Sequence, residues 1–271
     1  MTTINTPDEF KPQVSPNTPA NSSSKPKAAK KPSSASKAKK KGRTSPKAKP
    51  QIKAYKTVHI YILLDRSGSM ESMRHDVVGG LNEFLEQQKN IPGRARVTLV
   101  QFDSQDPQET RLNAVRITNV PAFTAKDFEP RGGTPLLDAT GTLIERALGR
   151  EASRKLSGRT QEEVVFVTVT DGEENQSRHH NLESVRKLIS GASESGWNFV
   201  FLGAGIDAYG DAQRLGYSSG STQAWEANGD GAKKAWCSVS RAMHQLRTDV
   251  NSDAFFNKAE YFRGLKEAEE K

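Results

Sequence analysis

From Thr57 onward, short apolar runs alternate with stretches in which apolar residues recur every three or four positions, the pattern of an α/β sheet. Val58 to Leu64 is nearly continuous in apolar and aromatic residues, as a central parallel strand covered on both faces requires, and it ends at Asp65. Val77, Val78, Leu81, Phe84 and Leu85 follow at helical spacing, and Pro92-Gly93 breaks the chain before a second strand, Arg96 to Phe102. A weaker alternation, with Val115 and Ile117 on one face, predicts an edge strand over Asn113 to Val120. Leu136, Leu137, Thr140, Leu143, Ile144, Ala147 and Leu148 mark a helix with Thr134 as its N-cap and Pro135 at its first position. The strand Val164 to Thr170 ends at Asp171 and precedes a helix capped by Asn181 and filled by Leu182, Val185, Leu188 and Ile189. A strand over Trp197 to Leu202, a short helix over Asp207 to Leu215 and a last strand over Ser221 to Trp225 follow. Ala232, Ala235, Trp236, Val239, Met243 and Leu246 form the stripe of a closing helix, and Phe255, Phe256 and Phe262 either dock a further helix or lie in a frayed end. The expected fold is a Rossmann-like, doubly wound sheet of six strands with helices on both faces.

Charge divides the chain. Its 271 residues carry a net +8, yet residues 1–56 alone hold 14 Lys/Arg against Asp8 and Glu9, a net of +12, which leaves the remainder at −4. Between Ser22 and Pro50 the sequence is almost wholly Lys, Ala, Ser and Pro, so it lacks the apolar surface to offset its own ordering entropy. The expected organisation is a disordered basic tail over 1–54, a folded domain over 55–250 and a C-terminal extension over 251–271. Lys25, Lys27, Lys30, Lys31, Lys37, Lys39, Lys40, Lys41, Arg43, Lys47 and Lys49 make the tail a candidate for neutralising the phosphates of DNA or another polyanion. A solubilising spacer is the other reading of the same composition.

No apolar run approaches the ~20 residues of a membrane span, and the start of the chain is polar, so neither a transmembrane helix nor a secretory signal is expected. The lone Cys237, read as a small buried residue on a helix, can form neither an internal disulfide nor a cysteine-rich zinc site. Both observations point to a cytoplasmic protein.

The chemistry concentrates in Asp65-Arg66-Ser67-Gly68-Ser69-Met70, in Thr134, and in Asp171-Gly172. Ligands of a doubly wound sheet bind beyond the carboxyl ends of its strands, where the winding reverses, and Asp65 and Asp171 both close strands on that side. If those strands are neighbours the carboxylates converge. Two carboxylates with the hydroxyls of Ser67, Ser69 and Thr134 form an all-oxygen set suited to a hard cation, Mg²⁺ or Mn²⁺, with a position left open for water or a carboxylate from elsewhere. Asp138, one turn after Thr134, is placed either to orient the site or only to favour the helix N-terminus, and Glu173 and Glu174 either to enter the outer shell, to tune partner choice, or simply to lie at the surface. Taken singly, the two aspartates could merely cap the helices that follow.

The motifs D-R-S-G-S-M, G-G-T-P-L-L-D-A and T-D-G-E-E-N, in that order, resemble the von Willebrand factor A domain family over about Lys56 to Arg247. The resemblance implies a metal-ion-dependent adhesion site on Asp65, Ser67, Ser69, Thr134 and Asp171, and a third strand that runs antiparallel at one edge of the sheet. It implies cation-dependent protein binding, with an Asp or Glu of the partner completing the metal shell and no catalysis by the domain. The segment Phe201 to Ala208 is similar to stand-alone bacterial members, for which an AAA+ ATPase is a conceivable partner.

Three other signals are weaker. Gly203-Ala204-Gly205-Ile206-Asp207-Ala208 satisfies a loose dinucleotide pattern, but Asp207 at the helix entrance would repel a pyrophosphate. Gly216-Tyr217-Ser218-Ser219-Gly220 spells G-x-S-x-G with His244 downstream, yet it leaves a helix and enters a strand, the reverse of a nucleophile elbow. His179-His180 lacks a third ligand for a transition metal. A Mg²⁺-dependent phosphohydrolase or phosphotransferase built on Asp65 is the enzymatic alternative, against which stands Ser67 where a second acid is needed.

Overall fold

The computed structural model describes residues 57–204, 207–226 and 229–248, with the side chains of 229 and 230 outside the description. The expectations for the tail, for Gly205 and for the phenylalanines after Asp253 lie outside the described residues. Six strands, β1 (Val58–Asp65), β2 (Ala95–Phe102), β3 (Glu109–Arg116), β4 (Glu163–Thr170), β5 (Asn198–Ala204) and β6 (Thr222–Trp225), form one sheet in the order β3-β2-β1-β4-β5-β6. All neighbours are parallel except β2 and β3. The chain winds outward from β1 to β3, then returns to β4 beside β1 and winds the other way. The reversal therefore falls between β1 and β4.

Alternation within β1 builds both layers. Ile60, Ile62 and Leu64 face a core closed by α1 (Arg74–Lys89) and α5 (Gly229–Thr248), whereas Tyr61 and Leu63 face α2 (Leu136–Leu156), α3 (Leu182–Glu194) and α4 (Ala208–Leu215). The six apolar residues that mark α5 in the sequence are all buried, and Trp236 lies so close to Gly80 of α1 that a Cβ there would stand 2.4 Å from the indole. Small residues at that contact let the two helices approach. Cys237 falls one position off the buried stripe and is exposed, which corrects its reading as a core residue.

The edge strand sits about four residues earlier than the alternation suggests. β3 borders solvent along one side, so its sequence is mostly polar and only Leu112 is buried. Ile117 is buried in the 3₁₀ turn Ile117–Asn119 after the strand, not within it. Two register shifts against β2, beside Ala114 with its φ of +52°, further spoil the periodicity. No helix among the described residues is long and apolar enough to cross a membrane.

Candidate metal centre

β1 and β4 pair in register over Val58 to Leu64, so Asp65 and Asp171 leave the same edge of the sheet side by side. Each next side chain is reached through a short contact. Asp65 Oδ1 accepts the backbone N–H of Ser67 at 2.7 Å, the hydroxyls of Ser67 and Ser69 lie 3.0 Å apart, and Ser69 Oγ donates to Asp171 Oδ1 at 2.8 Å. Thr170 donates its hydroxyl to Asp65 Oδ2 at 2.6 Å. The Thr134 hydroxyl borders the same space: a Cβ built on Gly172 would stand 2.8 Å from Thr134 Oγ1 and 3.7 Å from Asp65 Oδ2. All five residues singled out in the sequence meet at one point.

The local sequence explains how Thr134 gets there. Gly132 adopts φ +67°, and a side chain on it would run into Ser104 Oγ, while one on Gly133 would meet Gln176 and Asn175. The loop is clamped on both sides. Arg131 N–H donates to the Arg66 carbonyl, Gly68 N–H to the Gly132 carbonyl, and Gly133 N–H to Ser104 Oγ. Two glycines are needed because backbone must pass between packed loops.

Thr134 is not the N-cap of α2, as the sequence suggests. Pro135 occupies that position with no side-chain cap, and the helix begins at Leu136. Its free amides are satisfied instead by the segment after Asp171, where Glu174 Oε2 accepts from Leu137 N–H at 2.8 Å and Ser177 Oγ from Asp138 N–H at 3.0 Å. Asn175 Oδ1 accepts from Thr134 N–H. Asp138 returns the arrangement: its carboxylate accepts the backbone N–H groups of Arg178, His179 and His180. Asp138 thus fixes the Asp171 loop to the Thr134 helix. Glu173 is exposed, and its neighbour Glu174 is the acid that reaches α2. Periodicity does not distinguish adjacent acids in a loop: the sequence offers Glu173 and Glu174 alike, and carries no signal for Thr170.

Electrostatically the site is short of positive charge. Asp65 is fully buried, and burial pushes its carboxyl up to about 7 against the hydrogen bonds from Thr170 and Ser67 that favour ionisation. Burial likewise raises Asp171. Arg66 is next in sequence but its guanidinium turns away to Asp103 Oδ2 (2.5 Å from Nη2) and Glu109 Oε2 (2.6 Å from Nη1). No ion pair among the described residues involves Asp65 or Asp171. Two desolvated carboxylates without a cationic partner, faced by three neutral hydroxyls, fit a hard divalent ion. Among the described residues there is no cluster of three or more His, Cys, Asp or Glu that could hold a metal; this site relies on hydroxyls instead.

The other signals resolve structurally. Gly216 ends α4 with φ +93°, and Ser218 Oγ accepts the Gly220 N–H in a turn that enters β6. His179 is exposed, and the His180 ring covers Gly141 of α2.

The chain belongs to the von Willebrand factor type A domain family, whose model matches residues 59–227. No curated protein matches its sequence. Among solved structures, the pilus adhesin SpaC from Lactobacillus rhamnosus GG is 15% identical, with 71% of this chain and 31% of that chain covered at a TM-score of 0.53. Proximal thread matrix protein 1 from the mussel byssus is 15% identical over 68% of this chain and 45% of its own, with a TM-score of 0.50. A second structure of the mussel protein, with a zinc-occupied MIDAS motif, is 16% identical over 70% of this chain and 46% of its own at 0.49. These likenesses concern the fold, and the match spans less than half of each of those neighbours.

Proposed function

We propose that the domain is a non-catalytic, divalent-cation-dependent protein-binding module. The observation that carries this reading is the convergence of Asp65, Ser67, Ser69, Thr134 and Asp171 at the point where the sheet reverses, with two carboxylates that no cationic side chain among the described residues neutralises. These five residues would hold Mg²⁺ or Mn²⁺. When bound, the ion supplies an electrophilic position for an oxygen from outside the chain, and a partner's Asp or Glu is the group of matching charge and hardness. The protein's own residues orient the site: Thr170 and the Ser67 amide hold Asp65, and Asp138 holds the loop after Asp171. An AAA+ ATPase is the partner class to test first, on the resemblance to bacterial members. We read the lysine-rich tail as a separate attachment to DNA or another polyanion, and the protein as cytoplasmic.

The test is calorimetric titration of the full chain with Mn²⁺ and Mg²⁺, followed by capture of partners with Mg²⁺ and with EDTA. Saturable binding of one ion, lost in both Asp65→Ala and Asp171→Ala, is the expected result. Equal binding by the parent and by both variants would falsify the site assignment. Partners retained undiminished in EDTA would show that binding does not use it.

A further inference from the structure

The opposite edge of the sheet carries a cleft. The amino-terminal ends of β1, β2 and β4 and the carboxyl end of β3 enclose an open cleft of about 630 Å³, lined by Arg94, Arg96, Arg116, Arg154 and Arg159 with Glu162 as the sole acid among the described lining residues. Five guanidinium groups against one carboxylate leave a strongly positive cavity on a domain whose sequence is otherwise mildly acidic.

The five arginines fall into two groups. Arg96 and Arg154 are pinned: each lies 3.4 Å from a Glu162 carboxylate oxygen, and each donates to a backbone carbonyl, Arg96 to Ala114 and Arg154 to Thr160. Glu162 is itself buried and also binds Arg150. Arg94, Arg116 and Arg159 are exposed, and their guanidinium groups make no hydrogen bond or ion pair among the described residues. Three unpaired cations held around one concavity repel each other until an anion enters, and guanidinium pairs bidentately with phosphate.

We infer that this cleft binds the sugar–phosphate backbone of a nucleic acid, independently of base sequence. Two observations favour that occupant over a small nucleotide or an acidic peptide. Among the described residues the lining has no aromatic residue and only Ala95 and Ile117 as apolar side chains; none of these offers a platform or slot for a base, and recognition through them stops at phosphate. Thr57 also lines the cleft, and Lys56, the last residue of the +12 segment, precedes it directly in the chain. An extended polyanion is the ligand that a cationic cleft and a covalently adjoining cationic segment can share. The inference rests in part on the tail reading above, but the cleft makes its own prediction. Because it lies at the far end of eight-residue β1, roughly 25 Å from the Asp65 site, nucleic acid and a cation-dependent partner can be held together.

The experiment is fluorescence anisotropy of the full chain with a labelled duplex of random sequence, titrated over a range of salt from ~50 mM upward. Two variants are compared with the parent: R94A/R116A/R159A, all exposed positions, and a tail variant with Lys37, Lys39, Lys40 and Lys41 changed to Gln. Three lost phosphate contacts should make the log–log salt slope shallower by about 2.7 and weaken binding on the order of tenfold at low salt, with far-UV dichroism unchanged. Parental affinity and slope in the arginine variant, with binding lost in the tail variant, overturn the cleft and leave the tail reading standing. Loss in the arginine variant alone upholds the cleft and removes the tail. No binding by the parent at low salt overturns both. If polyglutamate of equal charge displaces the duplex as well as unlabelled DNA does, the cleft takes acidic peptides and the nucleic-acid assignment falls.

Discussion

Asp138 Oδ1 accepts the backbone N–H of His180 at 2.6 Å, and with the bonds from Arg178 and His179 this lashes the start of α2 to the loop that carries Asp171. Replacing Asp138 by Ala leaves three amides to water in a half-buried loop and detaches that loop from Thr134. Hydrogen bonds to a charged acceptor contribute ~1.5–3 kcal/mol each, partly recovered by hydration here, so a loss of about 2–4 kcal/mol is expected in urea unfolding. Groups that orient metal ligands typically cost about 10- to 100-fold in affinity when removed, and Mn²⁺ affinity should fall in that range. Unchanged affinity in Asp138→Ala would show that the loops hold their places without it.

Asp65→Asn should have opposite effects with and without the ion. Burial raises the Asp65 carboxyl to about 7, so the ionised group weakens the metal-free fold; the effect is absent below the unfolded-chain value near 4 and complete above about 7. Asn keeps the volume and an acceptor for the Ser67 amide but removes the desolvated charge. In EDTA at pH 8 the variant should be more stable than the parent by about 1–3 kcal/mol. In Mg²⁺ well above its Kd the parent gains stability by mass action and the variant does not, so the order of the two urea midpoints should reverse. A variant less stable in both conditions would contradict this account of the site's charge.

What the sequence makes legible depends on the kind of contact that forms each feature. Asp65 and Asp171 could be paired from sequence because both end apolar strands, and the winding then forces them together. The closing helix was equally readable, since Ala232 to Leu246 repeats on one face and that face is buried. The alternation misplaces β3 because an edge strand with one solvated side carries little apolar periodicity. Pro135 makes Thr134 look like a cap in the sequence, whereas the caps come from Glu174 and Ser177, about 40 residues away in sequence. The arginine cleft is invisible in the sequence for the same reason: its five guanidinium groups come from three separate segments, and only β-sheet register sets Arg96 opposite Arg116.

Acid should destabilise the domain through Asp103 and Asp138. Burial alone would raise Asp103, but the amides of Gln105 and Asp106 and the guanidinium groups of Arg66 and Arg131 outweigh it and hold the carboxyl below its ordinary value. At Asp138 the three loop amides likewise outweigh burial. A depressed carboxyl contributes stability that is full above the unfolded value near 4 and is lost as pH falls through the folded value. Urea midpoints measured from pH 7 to pH 2 in EDTA should therefore drop below about pH 4. Asp103→Asn, already less stable at pH 7, should show a shallower drop. A slope identical to the parent's would mean that the Arg66–Asp103–Arg131 cluster does not set acid stability.

Gly172→Ala tests the cation site with the smallest change the chain permits. The added Cβ would stand 2.8 Å from Thr134 Oγ1, closer than a methyl group tolerates, and the neighbour is the movable end of a side chain, not backbone. Thr134 must therefore swing away from the site. The φ of Gly172 is not in the left-handed region, so alanine adds no backbone strain there. The cost to the fold should stay below about 1 kcal/mol, within the range of tolerated small-to-large changes that a side chain can absorb. Cation binding should weaken on the order of tenfold or more, as expected when one oxygen ligand is displaced from a fixed set. Calorimetry with Mn²⁺ beside thermal unfolding in EDTA separates the two effects. Parental Mn²⁺ affinity in a folded Gly172→Ala protein would remove Thr134 from the ligand set and leave Asp65, Ser67, Ser69 and Asp171 to hold the ion.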